Sequence, residues 1–502
     1  MRQSTELKVF FFFLVACAAG LFAAGTWHGI GMRPDSMAYL GLSPDRFQQA
    51  PTYTALIDLL AGMGVQPVLA ATVLNTFSLV LNIALMFLIL NDCKVRPRMI
   101  FLAALIMVLS PQFMYAHVTI LSEPLTTNCL LGTYFFMSRY LRGDNVSAFV
   151  LASCLAALCV LTRFALVPLI AACSLTILVY GHGDLRRRLV SAIVFGLIAS
   201  AIIIGWYLYN QNSGGTGIGR QAAFLGDPDA ETFRAALVTL SAYVLPSSLP
   251  PIITLTALVL VLGFIVVLIG TALKVQTNPD DLPGLPVARP ISFFLLVYVP
   301  FLVLALFIEA NLTIHARYLL PVFISTLVLG FALVGGKPGT DMMNRLRRVA
   351  LILALALTGT YAVRTAAMTR THMTEGNFYA SPVWKNSPTL AHLDNLRDGV
   401  VVYSNGYDVI RLVKGVDALK SPELFERRTG RPDPGTSPEK EIQEVRKRVA
   451  DQNAVVAILN EVDWRFYLVD EERLIREADL TLLYEEADGR IYGSPASFKP
   501  IE

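Results

Sequence analysis

Apolar residues run through the first three quarters of the chain in stretches too long and continuous for the core of a water-soluble fold. They centre on residues 9–30, 67–90, 99–116, 124–141, 147–162, 164–180, 189–209, 252–273, 291–309, 318–335 and 349–363. A helix needs about 20 apolar residues to cross the hydrocarbon of a bilayer, so the pattern predicts about eleven transmembrane helices. The first stretch is too long for a signal-peptide core and is followed by no clean cleavage site, which reads as a retained anchor. Beyond residue 364 the pattern changes. Gly399–Asn405 reads as a buried strand followed by a turn and a helix from about Tyr407. Residues 439–451 read as a charged amphipathic helix, Ala454–Asn460 as a second strand, and Leu480–Gly493 as a hairpin turning at Asp488-Gly489. The fold class expected is a polytopic α-helical membrane protein, residues 1–364, with a C-terminal α/β domain, residues 365–502, large enough to bury its own core.

Composition agrees with that division. Of the 502 residues, 54% are hydrophobic and 16% charged. Residues 1–364 hold 23 of the 41 Lys+Arg and 15 of the 38 Asp+Glu, and the remainder holds 18 and 23. The net charge of +3 is therefore a membrane portion of +8 and a tail of −5, and it implies no nucleic-acid partner. A purely soluble enzyme, a single-span receptor and a disordered regulator are excluded. The six cysteines lie in or beside the apolar stretches with no CxxC or Cys/His spacing, so neither a disulfide framework nor a structural zinc site is indicated.

Orientation follows from Lys and Arg in the short connections, which concentrate on the cytoplasmic side. With the N-terminus cytoplasmic, 16 basic residues fall inside, whereas Arg33, Arg46, Arg163, Arg220, Arg234 and Arg317 fall outside before the last span. An odd number of spans then puts the C-terminal domain on the periplasmic side of the inner membrane. Two outside connections, 31–65 and 210–250, mix apolar with polar residues, as helices lying in the membrane interface do. The run Ser213–Gly219 reads as a mobile loop and lacks the GKS or GKT of a phosphate-cradling P-loop.

Ionisable groups at or inside a membrane cost a few kcal/mol unless paired or hydrated, and four places on the outer side carry them. They are Arg33 to Tyr39 (RPDSMAY), His117 to Pro124 (HVTILSEP), Arg163 in the turn LTRF, and Glu309 to Pro321 (EANLTIHARYLLP). Each has a structural reading. Asp35 could cap a helix, Glu123 could start one ahead of Pro124, Arg163 could snorkel, and His315 with Arg317 could meet lipid headgroups. Convergence of all four on one face favours chemistry. A carboxylate near an acceptor hydroxyl can take its proton as the oxygen attacks. Arg and protonated His can neutralise a departing phosphate. No ATP or nucleotide sugar is available outside a bacterial cytoplasm, so a lipid-linked phosphate would have to carry the energy.

At these residues the chain resembles the GT-C membrane glycosyltransferases, in the branch similar to the protein O-mannosyltransferases and the lipid A aminoarabinose transferases. The likeness lies in PDSMAYLGLS of the first outer loop, LSEPL of the second, the LTR turn and HARYLLP before a late span, and covers roughly residues 5–335. It implies inverting transfer of a hexose or pentose from a polyprenyl-phosphate sugar donor to a lipid, glycan or protein acceptor of the cell envelope. Asp35 would be the catalytic base, with Glu123 assisting at the acceptor. His315 and Arg317, with Arg163, would hold the donor phosphate. No cofactor is implied beyond the divalent metal that some members hold, here between Asp35 and Glu123. Two separated acids without a histidine at ligand spacing make a thin ligand set for it. The mannosyltransferases have Asp-Glu in the first loop where this chain has Asp35-Ser36.

Two other classes compete. A transporter or flippase of lipid-linked sugars predicts midplane charges and repeat symmetry, and the sequence displays neither. An inactive scaffold of envelope assembly would keep the fold and tolerate loss of Asp35.

Overall fold

A computed structural model describes residues 2–43, 49–212, 225–275, 282–336, 341–427, 429–432, 435 and 437–499. The glycine-rich run from Ser213 lies outside these. Fifteen α-helices lie among the described residues up to Glu375: α1 (Arg2–Gly25), α2 (Pro34–Tyr39), α3 (Pro51–Gly62), α4 (Pro67–Asp92), α5 (Pro97–Leu109), α6 (Pro111–His117), α7 (Glu123–Gly143), α8 (Val146–Thr162), α9 (Pro168–Tyr180), α10 (Leu185–Asn212), α11 (Ala230–Ser241), α12 (Pro251–Lys274), α13 (Leu285–Ile308), α14 (Ala316–Val334) and α15 (Asp341–Glu375). Every apolar stretch of the sequence is helical. Among the described residues seven helices are each long and apolar enough to cross a membrane, with an eighth if the bent pair α5 and α6 is one span. The helices α8 and α9 are apolar but shorter, and α7 owes its lower apolarity to polar residues that are nearly all buried among its neighbours. The chain is an integral membrane protein. Its outward side chains fit lipid: α12 exposes Ile252, Val259, Leu260 and Val266, apolar surface that a water-soluble protein would cover.

The stretch 99–116, expected as a single span, is broken by a 65° bend. Pro111 has no N–H to continue the helical ladder and biases the preceding residue towards extended backbone. Ser110 accordingly has φ −65° and ψ 121°, and its hydroxyl accepts from Phe113 N at 3.5 Å to start α6. The connections predicted to be interfacial contain the short helices α2 and α3, and α11.

The change of composition at residue 364 falls within α15, which continues to Glu375. A five-stranded sheet follows: β1 (Val401–Ser404), β2 (Ala418–Lys420), β3 (Ala454–Leu459), β4 (Leu482–Glu486) and β5 (Gly489–Tyr492), in the order β2-β1-β3-β5-β4. The first three are parallel and the hairpin is antiparallel. Alternation within the strands feeds two cores. Val402, Val455 and Ala457 pack against Leu390, Leu393 and Ile410 on one face. Tyr403, Ala454 and Val456 pack against Ile442 and Val445 of α16 (Pro438–Ala450) and Leu474 of α17 (Glu471–Ala478) on the other. Three layers result, because both faces of a central parallel strand must be covered. Asn405 and Asp408, which follow β1, are structural. Asn405 accepts from Leu459 N at 2.9 Å and donates to the carbonyls of Leu459 and Val462. Asp408 is buried, accepts from the Tyr379 hydroxyl at 2.7 Å and faces Arg465 at 2.7 Å.

This α/β region is fastened to the helix ends by polar contacts. Asn377 donates to Val118 O at 3.3 Å and Thr119 Oγ1 at 3.0 Å, Lys385 Nζ donates to His28 O at 2.7 Å, and Arg411 donates to Leu42 O at 2.7 Å. Gly31 makes room for the first of these: a Cβ there would lie 2.2 Å from the Asn377 amide nitrogen. Gly31→Ala is therefore expected to expel the Asn377 side chain and to destabilise the protein by about 1–3 kcal/mol, as overpacking does. Thermal unfolding in detergent checks this, and an unchanged midpoint would show that the junction yields without loss.

Candidate active site

Helices running alternately up and down bring the ends of α1, α8 and α13 beside the starts of α4, α7 and α14. The other end of the bundle gathers most of the arginines with their acids: Arg98 with Glu6, Arg139 and Arg142 with Asp92, and Arg187 with Asp144. The first end holds the candidate residues.

Asp35 lies in the first turn of α2, behind Pro34. The N-cap position belongs to Arg33, whose backbone N–H donates to Ser36 Oγ at 2.9 Å. The Asp35 carboxylate is thus not spent on capping and points instead at Arg317. Glu123 opens α7 ahead of Pro124, where the helix dipole favours an acid. Arg163 ends α8 in extended backbone, φ −153° and ψ 111°. Instead of snorkelling outward it turns in, with 14% of its side chain exposed, and bonds Glu123. Arg317, one residue into α14, completes the group. Its Nη1 donates to Asp35 Oδ2 at 2.7 Å and its Nε to Glu123 Oε1, the same oxygen that Arg163 Nη1 reaches. The Arg163 guanidinium also lies 5.2 Å from the Tyr318 ring centroid, a cation–π contact.

Two acids and two arginines from four separate connections therefore meet in one charge-balanced cluster. Their exposures differ. The Glu123 side chain is 3% exposed, with Oε2 buried and unbonded, whereas that of Asp35 is 41% exposed. Glu123 is the interior anchor of the cluster and Asp35 its accessible edge. Burial alone would raise the Asp35 carboxyl, but the Arg317 guanidinium beside it, helped by Arg163 and Arg33, holds it below the usual carboxylate range.

His315 stands apart from these four. It is the N-cap residue of α14, exposed, and its Nε2 bonds Thr313 Oγ1 at 2.8 Å. Desolvation, then the nearby cations Arg317, Arg427 and Arg33, lower its ring below the usual histidine value. Arg33 was not among the expected site residues. Its Nη1 donates to the Tyr115 hydroxyl at 2.9 Å and its guanidinium lies 4.8 Å from the Phe378 ring centroid, which brings the α/β region to the rim of the site. Asn311 donates to Arg427 O at 2.6 Å and makes a second such link.

These residues do not fit a divalent cation. The two carboxylates expected to share one are already spanned by Arg317. Among the described residues no group of three His, Cys, Asp or Glu could hold a metal ion.

Comparison with known proteins places this architecture. ArnT from Cupriavidus metallidurans bound to undecaprenyl phosphate superposes with a TM-score of 0.58 over 98% of this chain and 99% of its own, at 12% identity. The apo state of the same protein gives 0.56 over the same shares at 11% identity. The chain has the fold of ArnT. The likeness extends past residue 335, where the sequence motifs end, and includes the α/β region. A mycobacterial arabinofuranosyltransferase, AftD, aligns with 96% of this chain and 39% of its own at a TM-score of 0.49 and 14% identity. No family model matches the sequence, and no curated protein does.

The unequal exposure of the two acids separates their contributions to stability. Glu123→Gln leaves Arg163 and Arg317 facing each other without their shared counter-charge, at an expected cost of about 3 kcal/mol. Asp35→Asn removes a half-exposed ion pair and should cost about 1 kcal/mol or less. Unfolding midpoints of the two variants in detergent check this, and equal losses would refute the anchor role of Glu123.

Proposed function

We propose that the protein is an inverting glycosyltransferase. It moves a hexose or pentose from a polyprenyl-phosphate donor to an envelope acceptor at the outer face of the cytoplasmic membrane, with its N-terminus cytoplasmic and residues 365–502 a separate periplasmic domain. The observation that carries this reading is the Arg317 side chain, joined at once to an accessible acid and a buried one in the fold of ArnT. The undecaprenyl phosphate bound to ArnT supports the donor class, and the distribution of Lys and Arg supports the orientation.

In the reaction an acceptor hydroxyl oxygen attacks the anomeric carbon opposite the phosphate. The bond from that carbon to the phosphate oxygen breaks, its electron pair leaves with the phosphate, and the configuration inverts. Asp35 takes the hydroxyl proton. Arg317 and Arg163 meet the charge that develops on the leaving phosphate. His315, beside the cluster, can add a hydrogen bond to the phosphate. Glu123 fixes the two guanidinium groups. The cluster also couples the substrates: a phosphate competing for Arg317 loosens its hold on Asp35, and the carboxylate becomes a stronger base only when the donor is in place.

Transfer from a radiolabelled polyprenyl-phosphate sugar in proteoliposomes tests the reading. Asp35→Asn is expected to lower turnover by about 10²–10⁴-fold, the usual contribution of a general base, and EDTA to leave wild-type turnover unchanged. Equal turnover by wild type and Asp35→Asn would sink the assignment of the base. No transfer from any such donor would favour a transporter or scaffold.

The pH dependence has a definite sign. A base must be deprotonated, so activity is lost as pH falls through its pKa. The profile of kcat/KM reports the free enzyme and that of kcat the complex. The acid limb of kcat/KM is expected below the ordinary aspartate value of about 3.9, where Arg317 holds Asp35. The acid limb of kcat should lie at higher pH. Coincident limbs would contradict release of Asp35 by the donor.

A further inference from the structure

The two acids sit on different connections, and a buried amide in the first half of α4 bonds the backbone that lies between them. Asn75 is fully buried in a largely apolar helix. Its Nδ2 donates to His117 O at 3.0 Å and Thr119 O at 2.7 Å, and its Oδ1 accepts from the Tyr53 hydroxyl of α3 at 2.8 Å. The strap 118–122 between α6 and α7 has no helix of its own to satisfy its carbonyls, nor has the last carbonyl of α6, His117 O, and carbonyls left unpaired in apolar surroundings are costly. Partners from three directions take them. Asn75 takes His117 O and Thr119 O, Gly31 N and Asn377 take Val118 O, and Ser36 Oγ takes Ile120 O at 3.0 Å. Ile120 N in turn donates to Gly31 O at 2.8 Å, and Tyr39 meets Ser122 across 3.2 Å. Asp35 lies on the segment that pairs with one side of the strap, and Glu123 on the residue that ends it.

We infer that Asn75 is a positioning residue for the transfer reaction: by clamping the strap it sets the spacing of Asp35 and Glu123 that one guanidinium must span. The inference rests on the transferase reading above, but its structural half does not. Without Asn75 the strap and the end of α6 each lose a carbonyl partner, and both acids drift relative to Arg317. A displacement of about 1 Å in such a site costs on the order of 10²-fold in rate.

Asn75→Leu, similar in size and compatible with an apolar helix, is the test, with Tyr53→Phe as the milder variant that removes the bond holding Asn75 Oδ1 and so loosens the amide's grip on the strap. For Asn75→Leu we expect kcat to fall about 100-fold, and for Tyr53→Phe about fivefold, the value of one hydrogen bond. In both, the acid limb of kcat/KM should move up towards the ordinary aspartate value, a change that mere loss of folded protein would not produce. Hydrogen exchange of the reconstituted full chain supplies a reading independent of activity: peptides covering 29–37 and 115–124 should lose protection together. Unchanged kcat and pH profile would overturn the positioning role while leaving the transferase reading intact. Loss of protection in only one of the two peptides would overturn the clamp. If the wild type transfers no sugar, the transferase reading fails and the exchange arm still decides whether Asn75 joins the loops. Should Asn75→Leu fail to fold, Tyr53→Phe carries both arms.

Discussion

A guanidinium enclosed by protein at the end of a membrane helix bundle must find its counter-charges at fixed places. Arg317 finds two, one accessible and one buried, and shares the buried one with Arg163. Desolvating a charge costs several kcal/mol unless pairing offsets it. The cluster therefore constrains the ends of α2, α7, α8 and α14 at once, since withdrawing any of them leaves a charge uncompensated. In the proposed reaction the same condition gives the site its chemistry. The acid at its edge is ionised and exposed, while the acid beneath keeps the cations aimed.

Below the charges lies a second constraint of the same kind. The strap leading to Glu123 is irregular backbone between apolar helices, where each carbonyl needs a donor. Asn75, Ser36, Gly31 and Asn377 supply them. One of these donors comes from the α/β region, which thereby becomes part of the support of the site. The Arg33 contact with Phe378 and the bond from Asn311 to Arg427 O add to that role at the rim.

Much of this could be read in advance. Apolar stretches marked the long bundle helices, short apolar runs marked β1 and β3, and Asp488-Gly489 marked the hairpin, because these signals are carried by neighbouring residues. Asp35, Glu123, Arg163 and Arg317 stood out because a charge beside an apolar stretch is conspicuous. Other features were legible but passed over. Ser110-Pro111 announces the break between α5 and α6. Asn75, Ser78 and Asn82, spaced for one face of α4 and all buried, announce a polar seam inside an apolar helix. They carry no charge, so a search for charges did not register them.

Local pattern determined which segments are helix and strand, and charge distribution determined which connections merited attention, since both depend on residues within a turn or two of each other. Only the tertiary structure decided the division of labour at the site. Whether Asp35 caps α2 or faces Arg317, whether Arg163 points to lipid or to Glu123, and whether His315 joins the cluster or stands beside it are matters of distance. The partners concerned lie 282, 194 and 40 residues apart for Arg317 with Asp35, Arg317 with Glu123 and Arg163 with Glu123. A periodicity of two or 3.6 residues carries no information over such separations. It is the packing of the helices that brings those ends within reach of one another.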